Sequence, residues 1–203
     1  MYKIGVTGPT GSGKSTFVEF LAKDLPNCFI IYVDQIMKQG FNKYYDILTD
    51  LLGPLESWPD GRVKTRNFNS TPERFSTSIE IIIPFMNKTL AAQLNNLSDG
   101  TNIIILDWAH LPILSVWDSL DKKYIISTKD DLRLQRLIDR DDATRDSYSR
   151  IKARMESTLL PTDKAEGTVI LNDSSKEAFY DKVKQIRERL LNTLNEDLSL
   201  DAF

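Results

Sequence analysis

Apolar residues recur along this chain in two rhythms: short solid runs, and longer stretches in which they return every three or four positions. Ile4-Gly5-Val6 reads as a buried strand. Phe17, Phe20, Leu21 and Leu25 then follow at helical spacing until Pro26-Asn27 ends the run. Residues 28–33 predict a second buried strand that stops at Asp34. Tyr44, Tyr45, Ile47, Leu48, Leu51 and Leu52 return to helical spacing and end at Gly53-Pro54, and Trp58-Pro59-Asp60-Gly61 reads as a turn. Ser70 and Glu73 offer a capping box for a helix carrying Phe75, Ile79, Ile82 and Ile83, which meets Pro84 and resumes through Met86, Leu90 and Leu94. Residues 101–106 and 123–127 predict a third and a fourth strand, the third ended by Asp107. Thr168-Val169-Ile170-Leu171 predicts a fifth, ending at Asn172-Asp173. Ser174 and Glu177 then suggest a capping box for a last helix with Ala178, Val183, Ile186, Leu190 and Leu194. Strands alternating with helices predict an α/β fold with a parallel, doubly wound sheet.

Composition narrows the picture. With 203 residues and 41% hydrophobic content, one domain with a substantial core is expected. The net charge of −3 argues against nucleic acid or an anionic membrane as the main partner and favours a small-molecule substrate. A single cysteine, Cys28, excludes an internal disulfide and fits a reducing, cytoplasmic setting; it reads as a small buried hydrophobe or, less simply, as a reactive thiol. The first strand begins almost at once, leaving no room for a signal peptide, and apolar runs such as 79–85 are too short to span a bilayer.

The chemistry gathers after the first strand. Gly8-Pro9-Thr10-Gly11-Ser12-Gly13-Lys14-Ser15, followed by Thr16, has two glycines five apart and then Lys and Ser, the phosphate-binding loop pattern. Glycines let successive N–H groups converge on phosphate, Lys14 adds positive charge for the β- and γ-phosphates, and the Ser15 hydroxyl suits Mg²⁺. Strand, loop and helix together imply that the chain binds a nucleoside triphosphate, ATP in the first instance.

In open α/β sheets, ligands bind beyond the carboxyl ends of the strands. That makes Asp34 and Asp107 candidates. Asp34 reads either as the base that accepts a substrate hydroxyl's proton or as the N-cap of the helix it opens. Asp107 resembles a Walker B carboxylate that holds Mg²⁺ or its water shell. His110, the only histidine, follows in the same loop, where a catalytic role is the minor reading. Arg133, Arg136, Arg140, Arg145, Arg150 and Arg154 are interleaved with aspartates, which fits a salt-bridged helical hairpin or a lid that brings arginines to the transferring phosphoryl group. The aromatic residues Tyr44, Tyr45, Trp58, Phe68 and Phe75 read as core or as the lining of an acceptor pocket.

Several of these segments resemble the dephospho-coenzyme A kinase family. The likeness runs from about residue 2 to residue 186 and rests on the opening strand and loop, on Val33-Asp34 with Lys38, on Leu137-Ile138-Asp139-Arg140-Asp141-Asp142-Ala143-Thr144-Arg145-Asp146, and on Val169-Ile170-Leu171-Asn172. It implies a P-loop nucleoside triphosphate hydrolase fold. The nucleotide-binding core would comprise residues 1–39, 101–132 and 165–203, with a helical acceptor-binding insertion over 40–100 and a lid over 133–164. It also implies ATP-dependent phosphorylation of the ribose 3′-hydroxyl of dephospho-CoA, with Asp34 as the base, Arg140 or Arg145 at the phosphates, and Asn172 beside the adenine. The chain departs from the family at Tyr32, Ile83-Pro84, Ala109-His110-Leu111, Arg154, Glu166-Gly167 and Arg66, mostly on the acceptor side. Those departures keep a kinase of a nucleoside or another small alcohol as the alternative. A nucleotide-dependent switch is the reading from outside the enzymes, but it would need no acceptor base.

Overall fold

The computed structural model describes residues 1–54, 71–97, 102–141, 144–158 and 166–200. The expected turn at 58–61 and the residues Arg66, Phe68, Ser70, Asp142 and Ala143 lie outside them. Among the described residues, five parallel strands form one sheet: β1 (Tyr2–Thr7), β2 (Cys28–Tyr32), β3 (Ile103–Asp107), β4 (Lys122–Ser127) and β5 (Thr168–Leu171). Their spatial order is β2-β3-β1-β4-β5, so β1 is central. Val6 and Tyr32 both stand level with Asp107, which aligns the carboxyl ends of three strands.

β3 shows why the run Ile-Ile-Ile-Leu becomes a strand buried on both faces. Ile103 and Ile105 join the core formed with Phe17, Leu21, Tyr124, Phe179 and Val183. Ile104 and Leu106 point the other way, into the core built with Ile36, Phe41, Phe75, Ile82 and Met86. Burying each such side chain contributes about 1.5–3 kcal/mol, so this strand stabilises both layers at once.

Helices α1 (Lys14–Ala22) and α7 (Lys176–Leu200) pack together on the first of these faces. On the second lie α2 (Val33–Lys43), α3 (Tyr45–Leu52) and α4 (Pro72–Asn95). α4 runs unbroken through Pro84, held on both sides of it by the fully buried Ile82 and Met86. A hairpin of α5 (Asp130–Asp141) and α6 (Arg145–Thr158) closes on a small cluster of Leu134, Leu137 and Tyr148, and α6 also packs against α4.

Several boundaries differ from the sequence reading, each for a local reason. α1 stops at Ala22 rather than Leu25, because Lys23 leaves helical geometry and Asp24 takes a φ of 65°. β2 ends at Tyr32, and Val33 already opens α2. Asp34 therefore sits in the first turn and is not the N-cap, which is Tyr32. Thr71 caps α4, its hydroxyl accepting from the Arg74 N–H at 3.3 Å. Ser175, not Ser174, caps α7, accepting from the Ala178 N–H at 3.3 Å. Cys28 is half-buried, and burial pushes its thiol up to about 11, which removes the reactive-thiol reading.

Candidate active site

The loop from Gly8 to Gly13 leaves the end of β1 and turns directly into α1. Two of its glycines are required by geometry. Gly8 adopts a φ of 138°, and a Cβ there would stand 2.2 Å from the Ile126 carbonyl oxygen. Gly13 adopts 93°, and a Cβ would meet the Asn172 side-chain nitrogen at 2.3 Å. A side chain at Gly8 would collide with the backbone of β4, one at Gly13 would displace the Asn172 amide, and either would strain a backbone conformation that favours glycine. Ser12 N–H donates to the Pro9 carbonyl at 3.1 Å, closing the tight turn within the loop. The amides of Lys14, Ser15 and Thr16 begin α1, where an anion is favoured.

Lys14 Nζ donates to the Pro9 carbonyl at 3.2 Å. Burial first, and then Arg133 and Arg140, hold its ammonium down at about 8, against the opposing pull of Asp107 and Asp34. These charges therefore share one electrostatic neighbourhood. Ser15 Oγ donates to Asp107 Oδ2 at 3.2 Å, while the buried Asp107 Oδ1 has no hydrogen-bond partner among the described residues. Burial raises the Asp107 carboxyl, and Lys14 and the Ser15 hydrogen bond act against that rise. The loop after β3 is tied to β1 where Thr7 Oγ1 donates to the Ala109 carbonyl at 2.9 Å.

Asp34 lines a cleft of about 460 Å³ together with Thr10, Lys14, Ser15, Tyr32, Phe75, Asp107 and His110. Its carboxylate pairs with Lys38 at 2.8 Å, one helical turn on, in an exposed i,i+4 arrangement. His110 is buried between the rings of Phe75 and Trp108, with centroids 5.0 and 5.4 Å away.

The arginines divide. Arg133 is buried and donates to the Thr10 carbonyl at 3.1 Å and to Asp130 at 2.8 Å. Asp130 also accepts from Tyr148 at 3.0 Å and from Lys152, both on α6, so part of the run is indeed a salt-bridged hairpin. Arg136 donates to the Gly11 and Ser12 carbonyls at 3.4 Å and to the Asn172 carbonyl at 3.0 Å. Both side chains grip the outer, carbonyl side of the loop. Arg140 and Arg145 are exposed, Arg140 within the field of Lys14 and Arg145 at the start of α6.

Residues 4–166 match the family model described as the AAA domain. The chain belongs to the AAA-domain family. A dephospho-CoA kinase from Streptococcus pyogenes serotype M3 is 26% identical over 203 aligned residues, covering 95% of this chain and 98% of that one. Among solved structures, a dephospho-CoA kinase from Campylobacter jejuni superposes with a TM-score of 0.59 at 16% identity, over 93% of this chain and 96% of that one. A shikimate kinase from Bacteroides thetaiotaomicron superposes at 0.56 and 17% identity, over 93% and 98%. These two likenesses show the fold. The phosphate loop and the relatives named as kinases support an ATP-dependent P-loop kinase.

Within this AAA domain, the donor set fits a hydrated divalent cation. The described residues contain no ready-made cage of three His, Cys, Asp or Glu side chains. One hydroxyl at Ser15 and one unpartnered carboxylate oxygen at Asp107 instead suit an ion that keeps several waters and shares the phosphates. Among the described residues, no helix is long and apolar enough to cross a membrane. Sequence reasoning missed Thr128, which donates to the Ser12 carbonyl at 3.0 Å. The signal available was its place just past the carboxyl end of β4, on the ligand edge of the sheet.

Proposed function

We propose that this kinase transfers the γ-phosphoryl group of ATP to the ribose 3′-hydroxyl of dephospho-CoA, giving CoA and ADP. The observation that carries the reading is Asp34. Its carboxylate lines the same cleft as Lys14, Ser15 and Asp107, on the face opened by the acceptor-side helices. The end-to-end correspondence with curated dephospho-CoA kinases supports this acceptor.

In this reading residues 40–100 bind the acceptor and residues 133–164 form the lid. The loop from Gly8 to Thr16 cradles the triphosphate, and Lys14 neutralises charge on the transferring group. Asp34 orients the hydroxyl and takes its proton as the oxygen bonds to the γ-phosphorus and the bond from that phosphorus to the β-phosphate oxygen breaks. The exposed pair with Lys38 opens at little cost when the hydroxyl arrives. Arg140 or Arg145 meets the phosphates when the lid closes. Ser15 and Asp107 would hold Mg²⁺, which when bound would shield charge on the β- and γ-phosphates.

One observation favours a second acceptor. Tyr32, Ala109 and His110 line the cleft at positions where the chain departs from the family pattern, which suits a nucleoside or another small alcohol. ATP consumption measured across dephospho-CoA, nucleosides and small alcohols tests the choice. The expected result is a kcat/KM for dephospho-CoA far above the rest. Faster turnover of another alcohol would discard dephospho-CoA while keeping the kinase.

A further inference from the structure

Three elements distant in sequence converge on one carbonyl oxygen of the phosphate loop. Ser12 O accepts from Asn172 Nδ2 at 2.8 Å, from Thr128 Oγ1 at 3.0 Å and from Arg136 Nη1 at 3.4 Å. Asn172 follows β5, Thr128 follows β4, and Arg136 lies on α5. The three are also bonded to one another. Arg136 Nη1 donates to Thr128 Oγ1 at 3.3 Å, and its Nη2 donates to the backbone and side-chain oxygens of Asn172 at 3.0 and 3.4 Å. Because Asn172 Oδ1 takes the guanidinium, its amide nitrogen is the end that faces Ser12. The Asn172 backbone N–H is pinned in turn to the Ser127 carbonyl at 2.8 Å.

A trans peptide is planar, with C=O and N–H on opposite sides. Holding the Ser12 carbonyl outward therefore turns the Gly13 N–H inward, to the concave side of the loop. Gly13 also caps α1, so this peptide joins the loop to the helix N-terminus. Its orientation sets whether that donor meets phosphate or misses it. We propose that Thr128, Arg136 and Asn172 are positioning residues for the triphosphate, clamping the Ser12–Gly13 peptide so that its N–H is aimed before the ligand arrives. Such preorganisation spares the loop the ordering cost at binding. The inference rests on triphosphate binding at this loop and is independent of the acceptor.

The clamp and a direct contact with the adenine make opposite predictions for Asn172. Inorganic tripolyphosphate has the phosphates and no base. Binding of tripolyphosphate and of ATP is measured by calorimetry on the whole chain, for the wild type and for Thr128→Val, Thr128→Ser and Asn172→Ala. The clamp predicts that Thr128→Val and Asn172→Ala each weaken both ligands by the same factor, roughly tenfold for one hydrogen bond to a partner that positions the phosphates. It predicts that Thr128→Ser, which restores the hydroxyl, recovers most of the loss. In turnover, KM for ATP rises while KM for the acceptor stays. An Asn172→Ala protein that loses ATP affinity but binds tripolyphosphate normally would overturn the proposal in favour of a base contact. A folded Thr128→Val protein that binds both ligands like the wild type would also overturn it. The Thr128 pair decides the matter even where Asn172→Ala fails to fold. A wrong acceptor assignment leaves all these affinities unchanged, so the two ideas fail separately.

Discussion

Ser15 Oγ donates a hydrogen bond to Asp107 Oδ2 across 3.2 Å, tying the first turn of α1 to the carboxyl end of β3. The other oxygen of that carboxylate is buried and has no hydrogen-bond partner among the described residues. Asp107→Asn keeps the shape and the Ser15 contact but removes the charge. The Mg²⁺ concentration for half-maximal turnover should rise about tenfold or more, while the melting temperature holds or increases, because a desolvated carboxylate is gone. A Mg²⁺ titration of turnover checks this; an unchanged half-point would remove Asp107 from the metal site.

Lys14 carries a pH signature. Its folded pKa, about 8, lies well below the ordinary 10.5. kcat/KM for ATP should therefore fall as pH rises through about 8, where the free enzyme loses the lysine's charge. The sign for stability is opposite. Between about 8 and 10.5 the unfolded chain holds more protons than the folded one, so this group's contribution to stability increases with pH across that window. Lys14→Met should abolish both trends and cut kcat/KM by orders of magnitude. A wild-type profile flat to pH 10 would contradict the assignment.

Asp34→Asn separates catalysis from stability. The pair with Lys38 is solvent-exposed, and its loss should cost at most about 0.5 kcal/mol. ATP affinity should stay within a few-fold, whereas transfer to the acceptor should drop by roughly a hundredfold or more. Binding, melting and transfer measured on this variant provide the check. Full transfer activity would eliminate the base.

Arg140 and Arg145 are exposed where Arg133 and Arg136 are engaged with the loop. Arg140→Ala and Arg145→Ala should each slow transfer, one of them chiefly in kcat. Arg140 also lowers the Lys14 pKa, so Arg140→Ala should move the alkaline limb to higher pH. If both variants keep wild-type kinetics and profiles, these arginines form only a solvated face.

What the sequence by itself determined is local. Gly8 to Thr16 are contiguous, and a strand–loop–helix needs only short-range geometry, so that local unit was legible from its residues. The solid apolar runs marked the five strands, and their ends pointed to Asp34 and Asp107. What the tertiary structure decided is direction and partnership. Helical spacing puts Arg133, Arg136 and Arg140 near one another, but only the docking of α5 on the loop sends the first two to its carbonyls. A one-residue choice, Ser175 over Ser174, depended on where the chain leaves β5. The clamp on Ser12 joins residues separated by 116 and 160 positions. Such contacts exist because the strand order β2-β3-β1-β4-β5 sets β4, with Thr128 at its end, beside β1, and β5, with Asn172, one strand further out. Periodicity along a chain records which side of an element is buried; it carries no record of which distant element buries it.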